Sequence, residues 1–168
     1  MVDKESAKVK IINSQGIQLN GYYFPNNSKT CILCIPGFGG AFSNPFIQIC
    51  EDCQTNGFDF LFCHTQGSYT EKELKKFNND GTYTYVKRGG CFENFDNIIP
   101  DIDAWLNFVN NPNYENIILI GASLGCDKIV KYISERCISN LKKLVFICPQ
   151  DISKRYDKES HDFQIHHM

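Results

Sequence analysis

Gly121-Ala122-Ser123-Leu124-Gly125 is the stretch whose residue types and spacing best fit chemistry. A G-x-S-x-G run means something only where a strand turns sharply into a helix. Ile117–Ile120 is an apolar, strand-like run, and Leu124–Cys137 carries a helical pattern, so the context is right. Such a bend would lift the serine oxygen off the sheet edge toward the positive end of the next helix. Glycines on either side leave room for the neighbouring backbone. The N–H of Leu124 would then face a developing oxyanion. A second donor is expected from the loop after the first buried strand, Pro36-Gly37-Phe38-Gly39-Gly40, with the N–H of Phe38 as the candidate.

A serine hydroxyl needs an adjacent base to become a useful nucleophile. The chain has four histidines: His64, His161, His166 and His167. His64 directly follows a buried strand, ahead of the serine, and reads as a local loop contact. The other three lie in the C-terminal tail. Asp151 follows the last strand, so Ser123, Asp151 and His161 make a possible shortened triad in the order serine, acid, histidine. Ten residues can extend about 33 Å, so reach is no obstacle. His166 and His167 read as part of a fraying end.

Around these residues the chain reads as alternating elements. Lys8–Ile12 and Gly16–Phe24 form a hairpin through Asn13-Ser14-Gln15-Gly16. Thr30–Ile35, Phe58–Cys63, Ile117–Ile120 and Leu144–Cys148 read as buried strands. Helices are expected from Pro45 to about Asn56, where Gly57 stops it, from Cys91 to Asn110 with a break at Pro100, and over Leu124–Cys137. Asn111-Pro112-Asn113 ends the second. A short helix is expected over Thr70–Phe77, then a turn at Asn79-Asp80-Gly81 and a strand from Thr82 to Val86. Tyr69, Phe77, Tyr83 and Tyr85 are expected to line a cleft. Ile102, Trp105, Leu106 and Val109 form one apolar helical stripe, which reads as core. Cys126 reads as packing, Asp127 and Lys128 as a solvated helix face, and Asp101 and Asp103 as first-turn acids.

This order predicts an α/β three-layer sandwich: a mostly parallel sheet with an N-terminal antiparallel hairpin and helices on both faces. Ligands bind such sheets at the carboxyl ends of the strands, which is where Ser123 and Phe38 fall. Residues 1–152 make the core and 153–168 a polar, poorly ordered tail.

The residues that carry the chemistry, together with IPGFGG at 35–40, FDFLFCHTQG at 58–67, GGCFENFDNIIPDIDAW at 89–105, ILIGASLGCDKIVKYI at 118–133 and LVFICPQDI at 144–152, resemble the α/β-hydrolase superfamily. The likeness runs from about Lys8 to Asp151 and is nearest to its intracellular esterase-like members. It implies an acyl-enzyme on Ser123, an oxyanion held by the Phe38 and Leu124 amides, and a small acyl ester or thioester as substrate. Two departures stand out. Pro36 occupies the place of the family's usual histidine before the oxyanion loop. The C-terminal strands that carry the acid and histidine do not fit after Cys148, so truncation or a degenerate member without a complete triad is the alternative expectation. The edge beside Leu144–Cys148 would then be bare, unless the tail, a second copy or a partner chain covers it.

Composition bounds the rest. The 168 residues are 42% apolar and 21% charged, with a net charge of −2, which suits one packed domain and gives no basic surplus for nucleic acid. No apolar run approaches the ~20 residues needed to span a bilayer. The N-terminus is charged at once, unlike a secretory signal. Nine cysteines, mostly in apolar runs, fit reduced thiols in a cytoplasm. Cys31-x-x-Cys34 and Cys50-x-x-Cys53 match a zinc spacing, but positions i and i+3 of a strand face opposite ways, so no metal is expected. With no G-x-G-x-x-G and no P-loop lysine, no cofactor is expected either.

Overall fold

The computed structural model describes residues 7–110 and 114–149. Strands β1 (Lys8–Ile12) and β2 (Gln18–Phe24) form the expected hairpin. Its turn is held by Asn13, whose Oδ1 accepts from the Gln15 and Ile17 amides at 2.9 Å. Next come β3 (Thr30–Ile35), α1 (Asn44–Thr55), β4 (Asp59–Cys63), β5 (Lys72–Phe77), β6 (Tyr83–Arg88), α2 (Ile98–Val109), β7 (Asn116–Ala122), α3 (Leu124–Glu135) and β8 (Leu141–Ile147). Six strands make one sheet in the order β1-β2-β4-β3-β7-β8. The pairs β4·β3, β3·β7 and β7·β8 are parallel, and the hairpin adds antiparallel strands at one edge.

Alternation along the central strands feeds two cores. Cys31, Leu33 and Ile35 point to the face covered by α2 and α3, with Trp105, Ile102 and Ile129. Ile32 and Cys34 point to the other, with Phe42, Cys50, Phe60 and Phe62 under α1. Helices on both faces complete the three layers. The stripe Ile102, Trp105 and Val109 is core, as its spacing implies. No helix among the described residues is long and apolar enough to cross a membrane.

Several elements differ from expectation. Residues 72–77 are a strand, not a helix. Leu74 and Phe77 have helical spacing, but β6 supplies β-forming partners, with Leu74 opposite Val86 in an antiparallel pair. Tyr83 and Tyr85 therefore stand exposed on this small second sheet, where Tyr83 meets Tyr85 edge-on and Phe77 at a tilt, rather than around a cleft. Tyr69 instead stacks on His64. The helix expected from Cys91 begins only at Ile98, after short 3-10 turns at Gly90–Phe92 and Phe95–Asn97. Pro100 does not break it: it sits in the first turn, where its missing N–H has no partner to lose. α3 stops at Glu135, two residues early.

Strand β8 starts three residues early and is exposed, not buried. Among the described residues nothing pairs with its outer edge. Residues 111–113, which were expected to break the helix, and the tail lie outside the described residues.

Candidate functional site

At the C-terminal end of β7 the chain turns into α3 through Ser123, with φ 51° and ψ −125°. Few non-glycine residues adopt such a backbone, and those that do tend to cluster at functional sites. A serine at a helix N-cap normally lies in extended backbone and hydrogen-bonds the first turn. Ser123 does neither: its side chain makes no capping hydrogen bond. Its main chain is fully engaged, the N–H donating to Ile147 O at 2.8 Å and the carbonyl accepting from Cys126 N at 2.9 Å. The half-buried hydroxyl is left over.

The flanking glycines are demanded by contact. A methyl group on Gly125 would lie 2.2 Å from Ile35 O, and one on Gly121 would lie 2.8 Å from Cys126 Cα. The β3–α1 loop is equally close: a methyl on Gly37 would meet Ser123 Cβ and Leu124 N at 3.0 Å and Ala122 O at 2.7 Å. The loop carrying Phe38 and the helix starting at Leu124 thus meet across Ser123. Leu124 is the first residue of α3, so its N–H has no partner within the helix. The Phe38 ring is turned outward, half-exposed, with its edge over Gly90.

His64, at the end of β4, makes the local contacts its position suggests. Its Nδ1–H donates to Asn20 O at 3.1 Å, and its carbonyl accepts from Trp105 Nε1 at 2.8 Å. Burial lowers its pKa to about 4, and the nearby Lys72 charge adds to the effect, so the ring is neutral near pH 7. It lies among Phe62, Tyr22 and Tyr69. Asp151, His161, His166 and His167 lie outside the described residues.

Lys128 and Asp103 depart from the sequence expectation, and Asp101 goes beyond it; Asp103 lies past the first turn of α2 and accepts from Tyr132 Oη at 2.6 Å. Lys128 is fully buried, not solvated: its Nζ lies 2.7 Å from Glu93 Oε2 and donates to Thr65 Oγ1 at 3.0 Å. Glu93 supplies the counter-charge that makes this burial tolerable, 35 residues upstream, where no periodicity signals it. Asp101 does lie in the first turn of α2, but it is buried and accepts from Gln66 N, Gln66 Nε2 and Asn13 Nδ2. Burial raises its pKa to about 6, against the lowering effect of those donors. Cys126 is core, its thiol 3.2 Å from Gly121 O.

The four-thiol spacing resolves by geometry. Cys31 and Cys34 sit in different cores on opposite faces of the sheet, so they cannot converge on one ion. Burial pushes the Cys50 thiol up to about 12 and the Cys53 thiol to about 11, so both stay protonated near neutral pH.

The mostly parallel sheet flanked by helices gives the chain an α/β-hydrolase-like fold, as in the solved structures it resembles. The solved structures it resembles include an esterase of Pyrococcus furiosus (TM-score 0.62, 20% identity, 84% of this chain and 48% of that one). An esterase of Exiguobacterium antarcticum matches similarly (TM-score 0.61, 15% identity, 84% and 45%). Mouse alpha/beta hydrolase domain-containing protein 10 is a third (TM-score 0.56, 16% identity, 83% and 48%). The chain spans about half the length of these structures. No family model and no curated protein matches the sequence.

Proposed function

We propose that this chain is a serine hydrolase of carboxylic esters or thioesters. The observation that carries the reading is the backbone of Ser123, φ 51° and ψ −125°, with its hydroxyl withheld from capping α3. Holding a residue there costs on the order of 1–3 kcal/mol. Ordinary N-cap geometry would avoid that cost, so the strain is spent on presenting the oxygen.

In this reading Ser123 Oγ attacks the acyl carbon while its proton passes to a base. The carbonyl oxygen takes up the negative charge against the N–H groups of Leu124 and Phe38. Collapse expels the alcohol or thiol, which recovers the proton from the base, and water then releases the acid by the same steps in reverse. His161 is the proposed base and Asp151 its orienting acid. Esterase function in two of the structural neighbours supports the assignment of reaction class.

A fluorophosphonate probe tests the nucleophile. Labelling that disappears in Ser123→Ala is expected, and equal labelling of both proteins would overturn the proposal. Replacing His161 by Ala tests the base, with a loss of ester turnover of about 10³-fold or more expected.

A second reading is a binding protein on the same fold. It is favoured by one observation: burial lowers the pKa of His64, the single histidine among the described residues, to about 4, which makes its ring a weak base. It predicts no turnover of p-nitrophenyl esters in a folded chain.

A further inference from the structure

We propose that Lys128 and Glu93 form a positioning pair that sets the distance between the two amides of the oxyanion site, an inference that rests on the serine-hydrolase reading. Leu124 and Lys128 lie one turn apart on α3, so the helix links them rigidly. Lys128 is 0% exposed and Glu93 6%, and their charged atoms meet at 2.7 Å. Thr65 Oγ1, just beyond β4, accepts a further hydrogen bond from the ammonium.

Glu93 directly follows the 3-10 turn Gly90–Phe92. That segment is fixed to the chain after β4 by Gly89 N to Gln66 O (2.9 Å), Gly90 N to Tyr69 O (2.7 Å) and Cys91 N to Thr70 O (3.0 Å). Glu93 itself lies flat over Gly67, where a methyl group would meet its carboxylate at 1.7 Å. The Phe38 ring rests on Gly90, 2.7 Å from the place a methyl would take. Leu124, Lys128, Glu93, Gly90 and Phe38 therefore form a closed mechanical path around Ser123. Away from the elbow, the ion pair and the Lys128–Thr65 hydrogen bond tie α3 to the segment that carries Gly90.

Stability alone does not account for such a pair. Removing two charges from water costs several kcal/mol each, and apolar replacements of similar volume are often neutral or stabilising. What the pair supplies is a defined separation between α3 and the 89–93 segment. A displacement of about 1 Å at a reacting centre can lower a rate about 10²-fold.

The test uses the whole 168-residue chain with the paired replacement Lys128→Met/Glu93→Leu, which leaves no unmatched buried charge. Two measurements are made: backbone ¹⁵N–¹H shifts, and steady-state hydrolysis of a p-nitrophenyl ester. The inference expects the Phe38 and Leu124 amides to shift while the β3 amides do not. It also expects kcat to fall about 10- to 100-fold with KM within about twofold. Unmoved Phe38 and Leu124 amides, or an unchanged kcat in an active protein, would overturn it. If the wild-type chain turns over no ester, the hydrolase reading fails, and the amide shifts still decide whether the pair sets their spacing. Should the double variant not fold, Lys128→Met/Glu93→Gln takes its place with the same outcomes, since it keeps the approximate shape of both side chains while removing both charges.

Discussion

Gly125 and Ile35 approach so closely that a methyl group on Gly125 would sit 2.2 Å from the Ile35 carbonyl oxygen. Helix α3 is thereby seated directly on the end of β3, and this contact lets the turn at Ser123 be as tight as it is. Both partners are backbone, so neither can rotate away. Gly125→Ala is expected to destabilise the chain by about 3 kcal/mol, at the upper end for overpacking a tight site. Urea denaturation of the two proteins measures it. A change below about 0.5 kcal/mol would mean that α3 can lift off β3 freely.

Ser123 holds backbone strain that only a glycine would relieve. Ser123→Ala keeps the Cβ and the strain, whereas Ser123→Gly removes both at the expense of a more flexible unfolded chain. The balance favours glycine: Ser123→Gly is expected to be about 0.5–1 kcal/mol more stable than Ser123→Ala, although both lack the hydroxyl. Thermal unfolding of the pair reads the difference directly. If the alanine protein is as stable as the glycine one, the positive φ carries no strain.

That bend was legible because its signal is local: five consecutive residues between an apolar strand and a helical pattern. The layered sheet was legible for the same reason, each buried strand being a short apolar run. Contacts between distant segments were not. Lys128 looks like any surface lysine until Glu93 and Thr65 arrive from elsewhere in the chain. Thr70–Phe77 reads as a short helix, whereas Lys72–Phe77 is a strand. The antiparallel partner that makes them a strand is set by tertiary pairing, not by spacing. Strand β8 has the composition of a buried strand, and its exposure depends on what lies beside it.

His64 and Asp101 titrate in opposite senses. In the folded chain His64 is lowered to about 4, so between its ordinary value of about 6.5 and 4 the unfolded chain binds a proton that the native one does not. Its contribution is present above that window and is lost as pH falls through it. Asp101 is raised to about 6, so between about 4 and 6 the native chain holds the extra proton, and this part of the stability is lost as pH rises. The two slopes oppose each other over about pH 4–6. His64→Phe removes one of them. Relative to wild type, this variant should gain stability as pH drops from 6.5 to 4, by up to about 3 kcal/mol at about 1.4 kcal/mol per pKa unit. Urea midpoints at several pH values test it, and a constant difference between the proteins would refute the buried, neutral His64.

On β8, Leu144, Val145 and Phe146 are each more than a third exposed. Successive strand residues face opposite ways, so among the described residues both faces of the strand are open as well as its edge. An unpaired strand edge offers free N–H and C=O groups for another chain, and apolar side chains on both faces strengthen the attraction. This combination should make the chain self-associate through β8. Val145→Lys places a charge on one open face without touching the elbow, and it should weaken association at least tenfold, about 1.4 kcal/mol. Tyr85→Lys, on the separate β5·β6 sheet, is the control and should leave association unchanged. Sedimentation velocity over a concentration series distinguishes the outcomes. A chain that stays monomeric throughout, or one for which both substitutions act alike, would show that β8 is not the adhesive surface.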